Sequence, residues 1–254
     1  MSQVQINNDK PTVLITGANS GLGLEISRQY ATAGWNVIAT TMLEEGHAGR
    51  SDLIAINQQY PNLCIEQIDV TNTALIQAVA KKYQDVAIDV LINNAAKVES
   101  SFEADIAAVM QPHSEIDFDQ SYLHFEVNAI GPMRMAQAFM PHVKQSKQKK
   151  MINVTSFIGS FGYDEPNTMG FNYGASKAAL NLFSMKLAVA AKPDDIIVAL
   201  VEPILVQTKP GVPDIDISSP VEVEVGKLIK VIENITMESA GKITNFTTGN
   251  IDPF

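Results

Sequence analysis

Short runs of apolar, often β-branched residues alternate along the chain with longer segments of helical period. The first run, Thr12–Ile15, is followed by a helical pattern from Gly21 to Thr32. Further strands are predicted over residues 36–41, 64–70, 90–93, 151–155, 196–202 and 242–246. Strands that are apolar along their whole length and separated by helices indicate a parallel sheet covered on both faces. The pattern therefore predicts a doubly wound α/β fold of about seven strands.

Composition limits the classes of protein and partner. The 254 residues are 46% hydrophobic and 18% charged, which suits one domain, residues 1–254, with a large core. A net charge of −10 disfavours nucleic acid and anionic membranes, so a small-molecule partner is expected. No apolar stretch approaches the length of a membrane span, and the first ten residues do not resemble a signal peptide. We therefore expect a cytoplasmic protein.

Metal and thiol chemistry are not predicted. The single cysteine, Cys64, lies in an apolar run, which favours an inert core thiol and excludes an internal disulfide. The four histidines show no paired spacing with cysteine or carboxylates of the kind a metal site needs.

A glycine-rich turn, Thr16–Gly23, joins the first strand to the first helix, with glycines at 17, 21 and 23. Glycines there permit close approach of a ligand, and the start of a helix offers free N–H groups to a pyrophosphate. The spacing departs from the common dinucleotide fingerprint, and such a turn serves equally well as a tight connection. Other motifs must decide between a binding site and a connection.

Tyr173 and Lys177 are four residues apart at the start of a long apolar pattern that reaches Ala191. One helical turn places both side chains on one face, where an ammonium group would lower the tyrosine pKa and prepare it for acid–base catalysis. Taken alone, the pair also fits a core tyrosine beside a solvated lysine.

Two further polar residues stand at informative places. Ser156 follows the predicted strand that contains Asn153, and the carboxyl ends of parallel strands face the ligand crevice. Asn128 lies four residues before Pro132 in a helix predicted to begin at an Asp117 cap. Because proline has no N–H, the Asn128 carbonyl would lack its helical donor and could hold water or a ligand. A turn serine and a packing kink are the structural alternatives.

Taken together, the glycine turn, Asn93–Ala96, Asn128, Ser156 and Tyr173-x-x-x-Lys177 resemble the classical short-chain dehydrogenase/reductases. These motifs follow the family order from about Thr12 to Thr208. The segments 125–132, 176–181 and 241–246 resemble the branch of sniffer-like carbonyl reductases and C-factor. The resemblance implies a Rossmann-type fold and an NAD(P)(H)-dependent enzyme that interconverts a carbonyl and an alcohol.

The resemblance also implies roles for individual residues. Tyr173 would be the general acid or base, Lys177 would depress its pKa and contact ribose, and Ser156 would polarise the substrate oxygen. Asn128, through its carbonyl, would hold a water that links Lys177 to solvent. Implied cofactor contacts are Tyr173, Lys177, Gly17, Asn19, Ser20, Gly21, Leu22, Gly23, Thr41, Asp69, Val70, Asn94, Ala95, Ala96, Pro203, Val206 and Thr208.

The chain departs from the family pattern at three places. Ala96 and Ile204 replace usual glycines, and Ser156 and Tyr173 are further apart than is common. The inserted stretch contains Phe157, Phe161, Tyr163 and Phe171, which fit either a substrate wall or simple packing. Residues 205–220 are expected to form a substrate loop.

Cofactor choice depends on the end of the second strand, where an acid would select NAD. Thr41 stands there and could donate a hydrogen bond to a 2′-phosphate. Met42 in place of an arginine, and Glu44 and Glu45 nearby, count against NADP, whereas Arg50 could still serve a phosphate. We expect a modest preference for NADP(H).

Two questions stay open in the sequence. A cofactor-binding sensor with little turnover is the main alternative to an enzyme, and an epimerase or dehydratase is a weaker one. The helices of Asn128 and Tyr173 are apolar over much of their length, and the family resemblance implies a homodimer or homotetramer. A monomer with a thick core is the alternative, and the sniffer-like branch includes it.

Overall fold

The computed structural model describes residues 6–98, 116–162, 170–203, 206–207 and 219–254. Its strands are β1 Thr12–Ile15, β2 Asn36–Thr41, β3 Leu63–Gln67, β4 Val90–Asn93, β5 Lys150–Val154, β6 Ile197–Glu202, β7 Val206–Gln207, β8 Ser219–Pro220, β9 Ile243–Asn245 and β10 Ile251–Asp252. Its α-helices are α1 Gly21–Thr32, α2 Ser51–Gln59, α3 Thr73–Lys82, α4 Phe118–Phe125, α5 Gly131–Lys144, α6 Phe171–Ala191 and α7 Val221–Asn234.

Eight strands form the central sheet in the order β10-β9-β6-β5-β4-β1-β2-β3. All neighbours pair in parallel except β9 and β10, which are antiparallel. The chain order reverses between β1 and β4, and the carboxyl ends of these two strands open a crevice there. The doubly wound α/β prediction is confirmed. The additional eighth strand is β10, whose two residues are too short to show a period.

Two apolar layers cover the sheet because successive strand residues point to opposite faces. On one face, Val13 and Ile15 pack with the cluster that contains Val225 and Leu228 of α7. On the other face, Leu14 packs with the cluster that contains Phe139 of α5, whose side chain is fully buried. Continuous burial along β1, β2, β4 and β5 explains their unbroken apolar runs.

The third strand is shorter than the sequence predicted. It ends at Gln67 rather than at residue 70, because the Asp69 carboxylate accepts hydrogen bonds from the N–H and hydroxyl of Thr71 and so forms a turn. The predicted cap at Asp117 is confirmed, since its carboxylate accepts from the N–H groups of Asp119 and Gln120.

A π-helical turn, Glu126–Ile130, separates α4 from α5. The Gly131 N–H donates to the carbonyl of Glu126, five residues back, and Pro132 follows at the start of α5. The sequence predicted a disturbed helix at this proline but not the wider turn. Asn128 sits inside the π-turn and is buried.

Candidate active site

The glycine turn forms a cradle that only glycine fits. Gly17 and Gly21 have φ values of +68° and +55°, which favour glycine. A Cβ on Gly23 would stand 2.3 Å from the Gly17 carbonyl oxygen and 2.5 Å from Nδ2 of Asn94, and a Cβ on Gly17 would stand 2.8 Å from Cα of Ala95. The turn is therefore packed directly against the segment after β4.

Hydrogen bonds lock this segment to the turn. The Asn94 amide donates to the Thr16 carbonyl at 2.9 Å, and the Thr16 hydroxyl accepts from the N–H groups of Asn94 and Ala95 at 3.0 Å. Ser20 precedes α1 without capping it, and the first turn of α1 contains no acid. The first turn of α1 thus contributes no anionic side chain of its own that would compete with a pyrophosphate.

The family resemblance assigns Asp69 and Val70 to the adenine end of the cofactor. A cavity of about 370 Å³, here called the adenosine-end cavity, is lined by Met42, Leu43, Glu44, Glu45, His47 and Asp69. Asp69 thus reaches the expected region. Val70 is buried and lies close to Gly131, where a Cβ would be 2.9 Å from a Val70 methyl carbon. Val70 therefore supports the start of α5 in addition to any contact with a ligand.

Thr41 already has hydrogen-bond partners within the protein. It is fully buried, its hydroxyl donates to Oδ1 of Asn19 at 3.1 Å, and its oxygen accepts from the Leu43 N–H at 3.2 Å. The hydrogen bond from Thr41 to a 2′-phosphate stays a prediction, and the Thr41 hydroxyl would have to leave Asn19 to form it. Asn19, in turn, positions the end of β2 against the glycine turn.

Ser156, Tyr173 and Lys177 meet at the carboxyl end of β5. Ser156 begins a short 3₁₀ turn, Phe157–Gly159, and its side chain is hydrogen-bonded to Tyr173. Lys177 is buried, donates from Nζ to the Val154 carbonyl at 2.8 Å, and lies 5.5 Å from the centre of the Tyr173 ring. One turn of α6 thus presents tyrosine and lysine together, as the i, i+4 spacing predicted.

The pKa values of Tyr173 and Lys177 differ from what the spacing of the two residues alone suggested. Burial raises the pKa of Tyr173 to about 12, although the hydrogen bond with Ser156 acts in the opposite direction. Burial also lowers the pKa of Lys177 to about 7. Because the lysine carries little positive charge above neutral pH, the protein alone provides no strong attraction for a tyrosinate.

Asn128 enters the cluster through its side chain. Its amide donates to the Lys97 carbonyl at 2.8 Å and to the Ser176 hydroxyl at 2.9 Å, and its oxygen accepts from the Lys97 N–H at 2.7 Å. Asn128 therefore ties the segment after β4 to α6, between Tyr173 and Lys177. The sequence suggested only a role for its carbonyl, which stays a prediction.

The other predicted contacts are less informative. Ala96 is exposed, and Pro203 is partly buried directly after β6. Val206 belongs to β7, which pairs with β8 at the far end of the predicted substrate loop. Thr208, Ile204, Tyr163 and most of the loop lie outside the described residues.

Sequence reasoning missed a row of buried polar residues behind the cluster. Thr155, directly after β5, is hydrogen-bonded to Asn181 on α6, and Asn153 in β5 is hydrogen-bonded to Ser184 on the same helix. Asn181 lies four residues after Lys177, on the same face of the helix, and that spacing was the available signal. Among the described residues, no group of acids, histidines or cysteines could hold a metal ion, and none of the helices combines the length and apolar character that a membrane crossing needs.

Comparisons with known proteins agree with this geometry. A family model for short chain dehydrogenase matches residues 11–213. The short-chain dehydrogenase anuI of Penicillium roqueforti is 31% identical over 80% of this chain and 81% of its own length. The short-chain dehydrogenase srdF of Neurospora crassa is 28% identical over 97% of this chain and 98% of its own length.

Two solved structures share the fold. NADPH-bound carbonyl reductase from chicken fatty liver has a TM-score of 0.83 at 24% identity and covers 96% of this chain and 99% of its own. The carbonyl reductase Sniffer of D. melanogaster has a TM-score of 0.81 at 21% identity, with coverage of 96% and 100%.

The buried lysine predicts a pH-dependent stability. The folded-state pKa of Lys177 is about 7, whereas an unfolded lysine titrates near 10.5. Between these values the unfolded chain binds the extra proton, so the free energy of unfolding rises with pH. From pH 7 to 9, in nucleotide-free buffer, the wild type should gain up to about 1.4 kcal/mol per pH unit relative to Lys177→Met.

Urea denaturation at pH 7, 8 and 9 measures this difference. Lys186→Met, which removes an exposed lysine from the same helix, is the control and should follow the wild type. Parallel pH curves for the wild type and Lys177→Met would contradict the depressed lysine pKa.

Proposed function

Because the chain belongs to the short chain dehydrogenase family and is an NAD(P)-dependent oxidoreductase, we propose that it interconverts a carbonyl and an alcohol at Tyr173. The observation that carries the proposal is the buried cluster at the end of β5. There the Ser156 side chain is hydrogen-bonded to Tyr173, and Lys177 lies beside the tyrosine ring. The cluster adjoins the crevice between β1 and β4, where the start of α1 would offer its free N–H groups to the pyrophosphate of a dinucleotide.

The residues divide the work between orientation and proton transfer. The nicotinamide supplies or accepts the hydride. During reduction, Ser156 and Tyr173 both donate hydrogen bonds to the carbonyl oxygen, and Tyr173 then gives its proton to that oxygen as the C–H bond forms. A pKa raised to about 12 keeps Tyr173 protonated at neutral pH, so the acid is present before each turnover. Lys177 would contact the ribose, and the Asn128 carbonyl would hold the water that returns a proton.

Removing the proton donor tests the proposal directly. Tyr173→Phe should lower kcat by about 10²–10⁴-fold, because general acid catalysis contributes that much, while the Kd for NADPH stays within about twofold. The assay follows NADPH oxidation over a panel of aldehydes, α-diketones, quinones, steroids and 3-oxoacyl esters. Tyr60→Phe, which alters a partly buried tyrosine directly after α2, is the matched control.

Two results would count against the proposal. Near wild-type kcat in Tyr173→Phe would remove Tyr173 as the acid. Tight nucleotide binding by the wild type without turnover on any carbonyl or alcohol would favour the sensor alternative.

We also propose that the enzyme prefers NADPH to NADH. No carboxylate stands at the end of β2, and Arg50 offers a cation close by. Its guanidinium is buried, donates to the Leu43 carbonyl at 3.4 Å, and leaves Nε without a partner among the described residues. A buried cation is stabilised by an anion, and Leu43 lines the adenosine-end cavity.

The preference predicts a lower Kd for NADPH than for NADH in a fluorescence titration. Arg50→Gln should raise the Kd for NADPH by about tenfold, the equivalent of one charge-assisted hydrogen bond, and leave that for NADH unchanged. The Kd for NADH is an internal control, because an unchanged value shows that Arg50→Gln still folds and binds a dinucleotide. A lower Kd for NADH in the wild type would overturn the preference.

A homodimer or homotetramer is our proposal for the assembly. Phe118 and Tyr122 on α4, and Leu182, Met185 and Val189 on α6, are exposed apolar or aromatic side chains. The two helices are neighbours, joined by a hydrogen bond from Ser121 to Asn172. Exposed apolar side chains on two neighbouring helices are typical of a surface that a second subunit covers.

Light scattering at micromolar concentration should give a multiple of 27.6 kDa. Val189→Lys should reduce the measured mass to that of one chain, whereas Val223→Lys, at an exposed valine on α7, should not. A wild-type mass of 27.6 kDa would refute the assembly.

A further inference from the structure

Asn181 bridges the two sides of the turn that carries Ser156. It is buried on α6, one turn beyond Lys177. Its Oδ1 accepts from the Thr155 hydroxyl at 2.5 Å, and its Nδ2 donates to the Gly159 carbonyl at 3.1 Å. Thr155 directly precedes Ser156, and the Gly159 N–H donates to the Ser156 carbonyl at 3.0 Å. One amide therefore holds both ends of the serine turn.

The serine turn lies directly on the helix that carries the tyrosine. A Cβ on Gly159 would stand 2.6 Å from Cβ of Lys177, and a Cβ on Gly174 would stand 3.0 Å from the Ile158 carbonyl oxygen and side chain. With no spare room at either glycine, the turn cannot move closer to α6 and could shift only by sliding along the helix or lifting away from it. Sliding would change the separation of the Ser156 and Tyr173 hydroxyls, and the Asn181 amide opposes it.

We propose that Asn181 is a positioning residue for carbonyl reduction, which fixes the serine turn so that Ser156 and Tyr173 address one substrate oxygen. The proposal rests on the proposed function. Asn181 touches neither hydroxyl and acts through Thr155 and Gly159. A misplacement of about 1 Å in such a site costs up to about 10²-fold in rate, so loss of the amide should appear in kcat.

Ser184 provides a matched control for a purely structural role. It is fully buried on the same helix, and its hydroxyl accepts from the Asn153 amide of the same strand at 2.8 Å. Asn153 then accepts from Asn93 in β4, so this network leads away from the serine turn. Both pairs hold the carboxyl end of β5 against α6, but only the Asn181 pair reaches the residues around Ser156.

The first experiment compares Asn181→Leu with Ser184→Ala in the full chain. Asn181→Leu should lower kcat by about 10- to 100-fold on the best substrate of the carbonyl panel, with the Kd for NADPH within about twofold. Amide hydrogen exchange over residues 156–160 should become faster. Ser184→Ala should leave both kcat and the hydrogen exchange of residues 156–160 unchanged. This should hold even if it lowers the melting temperature as much as Asn181→Leu does.

The second experiment tests the route through Thr155. Thr155→Val should reproduce the kcat loss, and Thr155→Ser, which keeps the hydroxyl, should restore it. In the double variant with Asn181→Leu, the two losses should not multiply, because they break the same hydrogen bond. Thr155→Val also tests the proposal where Asn181→Leu fails to fold.

Two results would overturn the positioning role. One is equal loss of kcat in Ser184→Ala and Asn181→Leu, and the other is unchanged exchange of residues 156–160 in both Asn181→Leu and Thr155→Val. If the wild type reduced no carbonyl, the proposed function would fail, and hydrogen exchange would still decide whether Asn181 holds the turn.

Discussion

Two residues of β5 and the residue that follows it are hydrogen-bonded to α6, and the geometry of the candidate active site depends on this contact. The Asn153 amide reaches Ser184, the Val154 carbonyl accepts from Lys177, and the Thr155 hydroxyl reaches Asn181. Each bond satisfies a buried polar group that would otherwise destabilise the fold. The contact therefore sets the position of α6 relative to β5, and with it the position of Tyr173 relative to Ser156.

Strong local patterns in the sequence correctly predicted much of this arrangement. Unbroken apolar runs specify strands buried on both faces, and the cap at Asp117 marks the start of a helix. The spacing of Tyr173 and Lys177 places both on one helical face. These features are determined by residues that are close together in the chain, so they can be predicted from the sequence.

Features that depend on distant partners could not be predicted in this way. From the sequence, the Thr41 hydroxyl is available to a ligand. In the fold it donates a hydrogen bond to Asn19, which is 22 residues away in the chain. The pKa of Tyr173 follows from burial, which the spacing of a lysine does not report. Asn181 lies in a segment that resembles the family, but its hydrogen bonds to Thr155 and Gly159 become visible only when the end of β5 meets α6.

The π-turn at Glu126–Ile130 has a consequence for how this helix evolves. A π-turn accommodates one residue more than an α-helix of the same rise, and each residue of an α-helix turns the chain by about 100°. The extra residue thus changes which side of the helix faces the neighbouring elements. Asn128 in the π-turn contacts Ser176, and Phe139 in α5 packs in the core. A one-residue deletion there would make the helix regular and rotate one face away from its neighbours. The irregular turn therefore makes this stretch of chain intolerant of changes in length, since Asn128 would lose its contact with Ser176.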